Sequence, residues 1–449
     1  MAKHQGTLIQ TLRERYRCPD SFLEFPSTAE LLGDGGAELA IRAVANRITK
    51  TIDGRDPLLC PPNEIIDHLR LERYLNSSGN RYESTLKKFY YRLRPLMTVS
   101  IRRSIQKFHA RSWQSVKFPR WPVDTTVEEI CEALLLRALR SQGVAGIPFV
   151  WFWPRGARGC VTMTHDVETL TGRDLCGELM DIDDFFGVKA SFQIVPEARY
   201  PIPANFLEAI HQRGFEIAIQ DLNHDGRLFD NREEFRRRAA LINRYGEEYG
   251  AKGFRAAVLY RRPEWYGDLE FSFDMSIPNV AHLDPQRGGC CTVMPYFIGN
   301  ILELPVTTVQ DYTLFHLLNE RSIDLWKTQV EMILQKNGLA SFIVHPDYIT
   351  KRNTRSVYEA LLGWLHDLCD RQAIWLALPS EIDTWWRARS KMSVVKDGNS
   401  WYIEGEGAER AVLAFAKDAD DHLAYELVDT LYVGRYQHAV DHHSQLTHG

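Results

Sequence analysis

Polar side chains follow several apolar segments of this sequence, at the point where each segment ends. The run CVTMTHDV at 160–167 contains Asp166 and is followed by Glu168. Two-residue spacing places both carboxylates on one face if the run continues as an extended strand. One carboxylate can then accept a proton while the other holds a cation. The pair therefore predicts an acid–base or cation-binding site.

Three further apolar segments carry polar groups that could join this pair. In a parallel α/β barrel, catalytic groups lie at the carboxyl ends of the strands. Each residue alone is equally typical of a helix cap or a satisfied buried polar group. Together they would supply a metal ligand, a base, an orienting cation and an acid. The residues are Gln220, Asp221, Asn223, His224 and Asp225 after one segment, Arg255 in the second, and His345 and Asp347 after the third.

Short apolar runs alternate with helical patterns through the middle of the chain. This alternation is typical of a mainly parallel sheet, and seven runs predict a distorted (β/α) barrel of about seven strands within 151–392. The runs lie at 160–167, 189–196, 215–222, 253–260, 301–309, 340–348 and 373–379.

The flanking regions have different patterns. Residues 1–150 repeat apolar side chains at helical spacing in 36–52, 62–76 and 126–143, which predicts a mainly helical N-terminal region. Residues 393–449 show strand-like alternation and the turn pair Asp397–Gly398, which predicts a small β module.

Composition limits the protein class. The 449 residues are 44% hydrophobic and 25% charged, with a formal net charge of −5, which excludes a disordered or fibrous chain. Eight scattered cysteines without a CxxC pair are typical of a reducing compartment. With no signal peptide or apolar span visible, we expect a cytoplasmic protein, with a peripheral position at the inner face of the membrane as the alternative.

One segment is strongly basic. Residues 87–120 hold ten Lys or Arg and no acidic residue, interleaved with aromatic residues. This pattern predicts a surface for a polyanion or an anionic membrane, and it is equally typical of a solvated helical face that meets acids elsewhere in the chain. No recognisable nucleic-acid module accompanies it, so we expect no specific nucleic-acid partner.

Across roughly 155–390, five ordered segments resemble motifs of the NodB-type polysaccharide deacetylases, carbohydrate esterase family 4. The segment 164–168 is similar to Thr-Phe-Asp-Asp-Gly, and 216–225 to a segment containing His-x-x-x-His, with Gln220 at the first histidine and His224 at the second. Arg255 matches the Arg-x-Pro motif without its proline. Asp274 and His345 match the fourth and fifth motifs.

The resemblance implies roles for these residues. Asp166 would be the base, His345 the acid that protonates the leaving amine, and Arg255 the cation that keeps Asp166 ionised and oriented. The metal positions would be Glu168, His224 and Gln220, for a divalent ion that is commonly zinc in the family. Tyr260, Trp265 and Asp274 are the candidate substrate-binding residues.

Gln220 complicates this assignment, because a neutral amide is a poor ligand for zinc. Three interpretations stay open: a third ligand such as Asp221 or Asp225, a harder or weakly bound cation, or loss of the metal and most activity. We also expect that Gln220→His raises zinc retention.

The sequence thus predicts a metal-dependent hydrolase of linear amides, first of all a polysaccharide (N-acetyl sugar) deacetylase in bacterial carbohydrate metabolism. A small-molecule amidohydrolase on the same fold is one alternative. A catalytically weak barrel that binds a glycan or another partner is the other, because of Gln220.

Overall fold

The computed structural model describes residues 10–23, 60–78, 113–349, 351–372, 374–398 and 400–428. The predicted helix at 36–52 and residues 87–112 of the basic segment lie outside these residues. The polyanion surface therefore stays a prediction.

The centre of the molecule is a curled sheet. Among the described residues its parallel strands number eight, which confirms a distorted barrel-like sheet close to the expected size of about seven strands. The parallel strands are β2 (Cys160–Val167), β3 (Ala190–Ile194), β4 (Glu216–Gln220), β5 (Gly253–Arg255), β6 (Phe273–Asp274), β8 (Ile301–Glu303), β9 (Leu339–Val344) and β10 (Trp375–Leu376). Two short strands complete the numbering up to β10: β1 (Ile147–Val150) and the antiparallel β7 (Tyr296–Ile298).

The sheet order is β9, β2, β3, β4, β5, β6, β8, β7, and β10 pairs with the first two residues of β2. The chain after β8 approaches the far edge, where Thr308 donates its backbone N–H to the Ser341 carbonyl at 3.3 Å and the Thr307 hydroxyl donates to the Leu339 carbonyl at 2.7 Å. These contacts connect the loop after β8 to β9 across the curled sheet.

Helices connect most of the strands, and their apolar residues share one buried cluster with the sheet. Local sequence sets their ends: Asn231 accepts hydrogen bonds from the backbone of Glu233 and Glu234, and Gly250 adopts the left-handed conformation that ends the same helix. The helices are α1 (Pro62–Arg70), α2 (Thr126–Gln142), α3 (Leu170–Phe185), α4 (Ala204–Gln212), α5 (Arg232–Tyr249), α6 (Asp324–Gln335), α7 (Pro346–Ile349), α8 (Arg352–Gln372) and α9 (Pro379–Lys391).

The C-terminal segment forms strands, as its alternation predicts. They are β11 (Ser393–Asp397), β12 (Ser400–Glu404), β13 (Leu413–Ala419) and β14 (His422–Leu427). β11 and β12 form a hairpin, and β13 pairs with both β14 and β1. Residues on both sides of the barrel segment therefore share one sheet, while the division into three regions stays a prediction.

Within the described residues, no helix is long and apolar enough to cross a membrane.

Candidate active site

Four strands bring the predicted site residues to one edge of the sheet. β2, β4, β5 and β9 are parallel, so their carboxyl ends lie on the same side. Candidate ligand atoms of Asp166, Glu168 and His345 all lie within 4.8 Å of one another. These three of the predicted site residues are thus brought together.

Asp166 is held by a buried arginine. Arg255 is fully buried, and its Nη1 donates to Asp166 Oδ1 at 2.5 Å and to the Thr164 hydroxyl at 2.8 Å, while its Nε donates to the Met275 carbonyl at 3.0 Å. A charge-assisted bond between buried groups fixes both side chains. The Asp166 carboxylate is therefore held in one orientation, as a general base requires.

The acid candidate is equally well anchored. His345 Nδ1 donates to Asp311 Oδ1 at 2.7 Å, and the backbone N–H of His345 donates to Oδ2 of the same carboxylate at 2.7 Å. Burial lowers the pKa of His345, but Asp311 and then Glu168 outweigh burial and raise it well above its ordinary value. The other ring nitrogen, Nε2, faces the pocket 3.6 Å from Glu168 Oε1.

Glu168 lies between two imidazoles. Its Oε1 is 2.7 Å from His224 Nε2, and its side chain keeps 26% of its surface exposed. Burial raises the pKa of Glu168, yet His224 and then His345 hold it well below its usual range. Glu168 is therefore an anion that faces the solvent side of the pocket.

Gln220 occupies the space between the two carboxylates. Its Nε2 donates to Asp166 Oδ2 at 3.0 Å and to Glu168 Oε1 at 3.2 Å. The amide thus presents hydrogen-bond donors where the family resemblance places a metal ligand.

His224 is held by an arginine that the sequence reasoning missed. Arg199 Nη2 donates to His224 Nδ1 at 2.9 Å and to the His224 carbonyl at 2.7 Å. His224 itself has a φ of 55°, and Asp221 one of 56°. Such left-handed backbone is uncommon outside glycine and clusters in functional loops.

The two extra ligands considered for a metal do not join the pocket. Asp221 is buried, and its Oδ1 accepts from the backbone of Leu222 at 2.6 Å. Asp225 forms a two-bond pair with Arg238, at 2.9 and 3.0 Å. Neither belongs to the group of described residues whose ligand atoms converge.

Two of the three predicted substrate-binding residues are buried and the third is partly exposed, so their role in substrate binding stays a prediction. Tyr260 is 4% exposed and Asp274 is fully buried, where it accepts a hydrogen bond from Ser276. Trp265 packs against Phe229 and Phe235. Tyr260 and Asp274 thus lie in the interior, whereas Trp265 lies at its margin.

Asp311 and Arg199 follow a signal that the sequence contains. Asp311 comes after the apolar run 301–309, and Arg199 comes after the run 189–196. The rule that located Asp166 and His345, a polar residue just after an apolar run, also applies to both.

Comparisons with known proteins give structural matches. No family model matches the chain, and no curated protein matches it. A crystal structure named as a polysaccharide deacetylase from Mycobacterium smegmatis is 18% identical, covering 56% of this chain and 98% of that one, with a TM-score of 0.43. A PuuE allantoinase is 13% identical, with coverages of 52% and 92% and a TM-score of 0.42.

A carbohydrate esterase family 4 pseudoenzyme is 16% identical, with coverages of 50% and 67% and a TM-score of 0.31. The structures that this chain resembles thus include polysaccharide deacetylases, the family that its motifs resemble.

The pocket does not fit a catalytic zinc ion. Of the three family positions, Gln220 turns its amide hydrogens toward the carboxylates, and the Nδ1 of His224 accepts from Arg199. Asp166, Glu168 and His345 could hold a cation, but this would occupy both the base and the acid. These side chains are therefore arranged as hydrogen-bonding groups and not as zinc ligands.

Proposed function

We propose that this protein is a hydrolase that removes acyl groups, in the first place acetyl groups, from a carbohydrate. The observation that carries the proposal is the pair of anchored groups at one strand edge, Asp166 held by Arg255 and His345 held by Asp311. An oriented carboxylate and an oriented imidazolium are the base and the acid that hydrolysis needs.

The proposed steps use these residues alone. Asp166 accepts a proton from a water molecule as the water oxygen attacks the acyl carbon. Arg255 Nη2, which is buried and has no hydrogen-bond partner among the described residues, is the donor assigned to the negative charge that develops beside Asp166.

His345 Nε2 then donates its proton to the departing nitrogen or oxygen as the bond to the acyl carbon breaks. Asp311 stabilises the imidazolium before this transfer. The products are the free acid and the deacylated sugar. The His345 ring must then be protonated again, and Glu168 Oε1 lies 3.6 Å from its Nε2.

A second function is favoured by a specific observation. Gln220 donates hydrogen bonds to the carboxylates, and Arg199 donates to His224, where the resemblance implies metal coordination. This arrangement also suits a catalytically weak barrel that binds an acylated glycan without turning it over.

The test is acetate release from partially acetylated glucosamine oligomers. We expect release by the wild-type protein and at least 100-fold less, as a rough figure for one lost acid or base, by Asp166→Asn and His345→Gln. A small acetamide, assayed in parallel, separates the carbohydrate hydrolase from a small-molecule amidohydrolase. Binding of the oligomers with no release by the wild-type protein would contradict the proposal and support the second function.

A further inference from the structure

The contact between Arg199 and His224 determines more than the position of the ring. A guanidinium group has only donors and stays charged in proteins. Arg199 Nη2 lies 2.9 Å from Nδ1 of His224, so Nδ1 must be the acceptor in this bond. The same Nη2 also donates to the His224 carbonyl, which ties the arginine to this residue by a second bond.

A neutral imidazole carries one hydrogen, on one of its two nitrogens. Since Nδ1 accepts from Arg199, the hydrogen is on Nε2. This nitrogen lies 2.7 Å from Glu168 Oε1, away from the straight hydrogen-bond direction, so the contact is chiefly electrostatic. Nε2 therefore has no lone pair to offer a cation.

We infer that Arg199 is a positioning residue that fixes the tautomer of His224 and thereby excludes zinc from the pocket. The inference concerns zinc binding and does not depend on the proposed hydrolysis. It assigns the exclusion to two residues, Gln220 and Arg199, where the sequence indicated Gln220 alone.

The charges around the pocket are consistent with this role. Arg255 pairs with Asp166, His345 lies beside Glu168 and Asp311, and Arg199 donates to His224. The protein's own basic groups and the Gln220 amide thus lie next to Asp166 and Glu168, where a divalent ion would otherwise balance their charge.

Metal-binding histidines ordinarily donate their outer ring nitrogen to an acceptor, and loss of that acceptor weakens metal affinity about 10- to 100-fold. Arg199 supplies the opposite group at this position. Arg199 is exposed at the rim of the pocket, so its replacement should leave the fold intact.

The first test measures zinc affinity by calorimetry in four proteins: wild type, Gln220→His, and the same variant combined with Arg199→Gln or with Arg199→Lys. Glutamine offers an acceptor for Nδ1–H, whereas lysine remains a pure donor and is the matched control. We expect Gln220→His with Arg199→Gln to bind zinc at least about 10-fold more tightly than Gln220→His alone. Arg199→Lys should give no such gain.

Equal zinc affinity in Gln220→His with and without Arg199→Gln would overturn the inference. So would an equal gain from Arg199→Lys, because the effect would then not depend on the donor.

The second test needs no change at the buried Gln220. Long-range ¹H–¹⁵N NMR of protein labelled at histidine reports which ring nitrogen carries hydrogen, and His224→Gln assigns the His224 signals by their loss. We expect hydrogen on Nε2 in the wild type and in Arg199→Lys, and a measurable share of hydrogen on Nδ1 in Arg199→Gln. Hydrogen on Nδ1 in the wild type would contradict the inference, whatever the hydrolysis assay shows.

Discussion

The two sides of the pocket differ in how closely they follow the family resemblance. On one side, Asp166 and His345 have the positions and the anchoring partners of a base and an acid. On the other side, Gln220 and His224 occupy the metal-ligand positions, but Gln220 donates to both carboxylates and His224 accepts from Arg199. A motif comparison treats the two sides alike, and only the hydrogen-bond partners separate them.

The difference shows that a residue's type does not determine its chemistry. His224 matches the family motif, yet the hydrogen bond from Arg199 to its Nδ1 favours the tautomer with hydrogen on Nε2. In this tautomer Nε2 cannot coordinate zinc. The segment that contains Arg255 lacks the motif's proline, yet Arg255 is fully buried and forms a hydrogen bond with Asp166. The hydrogen-bond partners at 2.5–2.9 Å therefore indicate the chemistry of these side chains better than their match to the motif does.

The largest effect is expected from Asp166→Asn. Loss of the base should lower acetate release by about 10²- to 10⁴-fold. The change also leaves Arg255 buried beside a neutral amide, which should cost about 3 kcal/mol of unfolding free energy, measured by urea denaturation.

Glu72→Gln is the matched control for this loss of stability. Glu72 forms a buried pair with Arg261 outside the pocket. We expect this control to lose stability while it keeps its rate of acetate release. An equal loss of activity in both variants would mean that Asp166 acts through folding alone.

Asp311→Asn tests the other anchor through pH. Asp311 raises the pKa of His345, and the protonated ring is the acid, so activity falls as pH rises through that pKa. Without the carboxylate, the descending limb of the kcat profile should move to lower pH. A limb that stays in place would exclude His345 as the acid.

Glu168→Gln should have a smaller effect, on stability at low pH. The folded-state pKa of Glu168 is held below its unfolded value, so this group contributes stability above the unfolded pKa of about 4.3 and loses it as pH falls through the folded pKa. The variant should therefore show a shallower loss of unfolding free energy below about pH 4. The same slope in both proteins would contradict the assigned environment of Glu168.

Trp265→Phe should have the smallest effect. Trp265 packs against Phe229 and Phe235, so a smaller aromatic ring keeps this packing. We expect a KM within about twofold of the wild type, since no sugar contact is lost. A KM raised by tenfold would restore Trp265 to the substrate site.

The sequence predicted most of the barrel because buried parallel strands consist of runs of apolar residues. All seven runs contain a strand, whereas β6 (Phe273–Asp274) was missed because two residues are too short for a pattern. The pairing of β1 with β13 was missed because its partners are more than 260 positions apart.

At the site, the sequence identified Asp166, its partner Arg255 and His345, but not Asp311, the partner of His345. Asp311 lies 34 positions before His345 and meets it only through the barrel closure. The direction of the Gln220 amide and the tautomer of His224 depend on three-dimensional neighbours, which no spacing in the sequence encodes.

The most direct measurement of the central claim is acetate release after exhaustive dialysis against a chelator, with and without added zinc, beside Asp166→Asn. The account predicts that the dialysed protein releases acetate at an unchanged rate, that zinc gives no increase, and that Asp166→Asn is inactive in both conditions. Activity that disappears with the chelator and returns with zinc would contradict it.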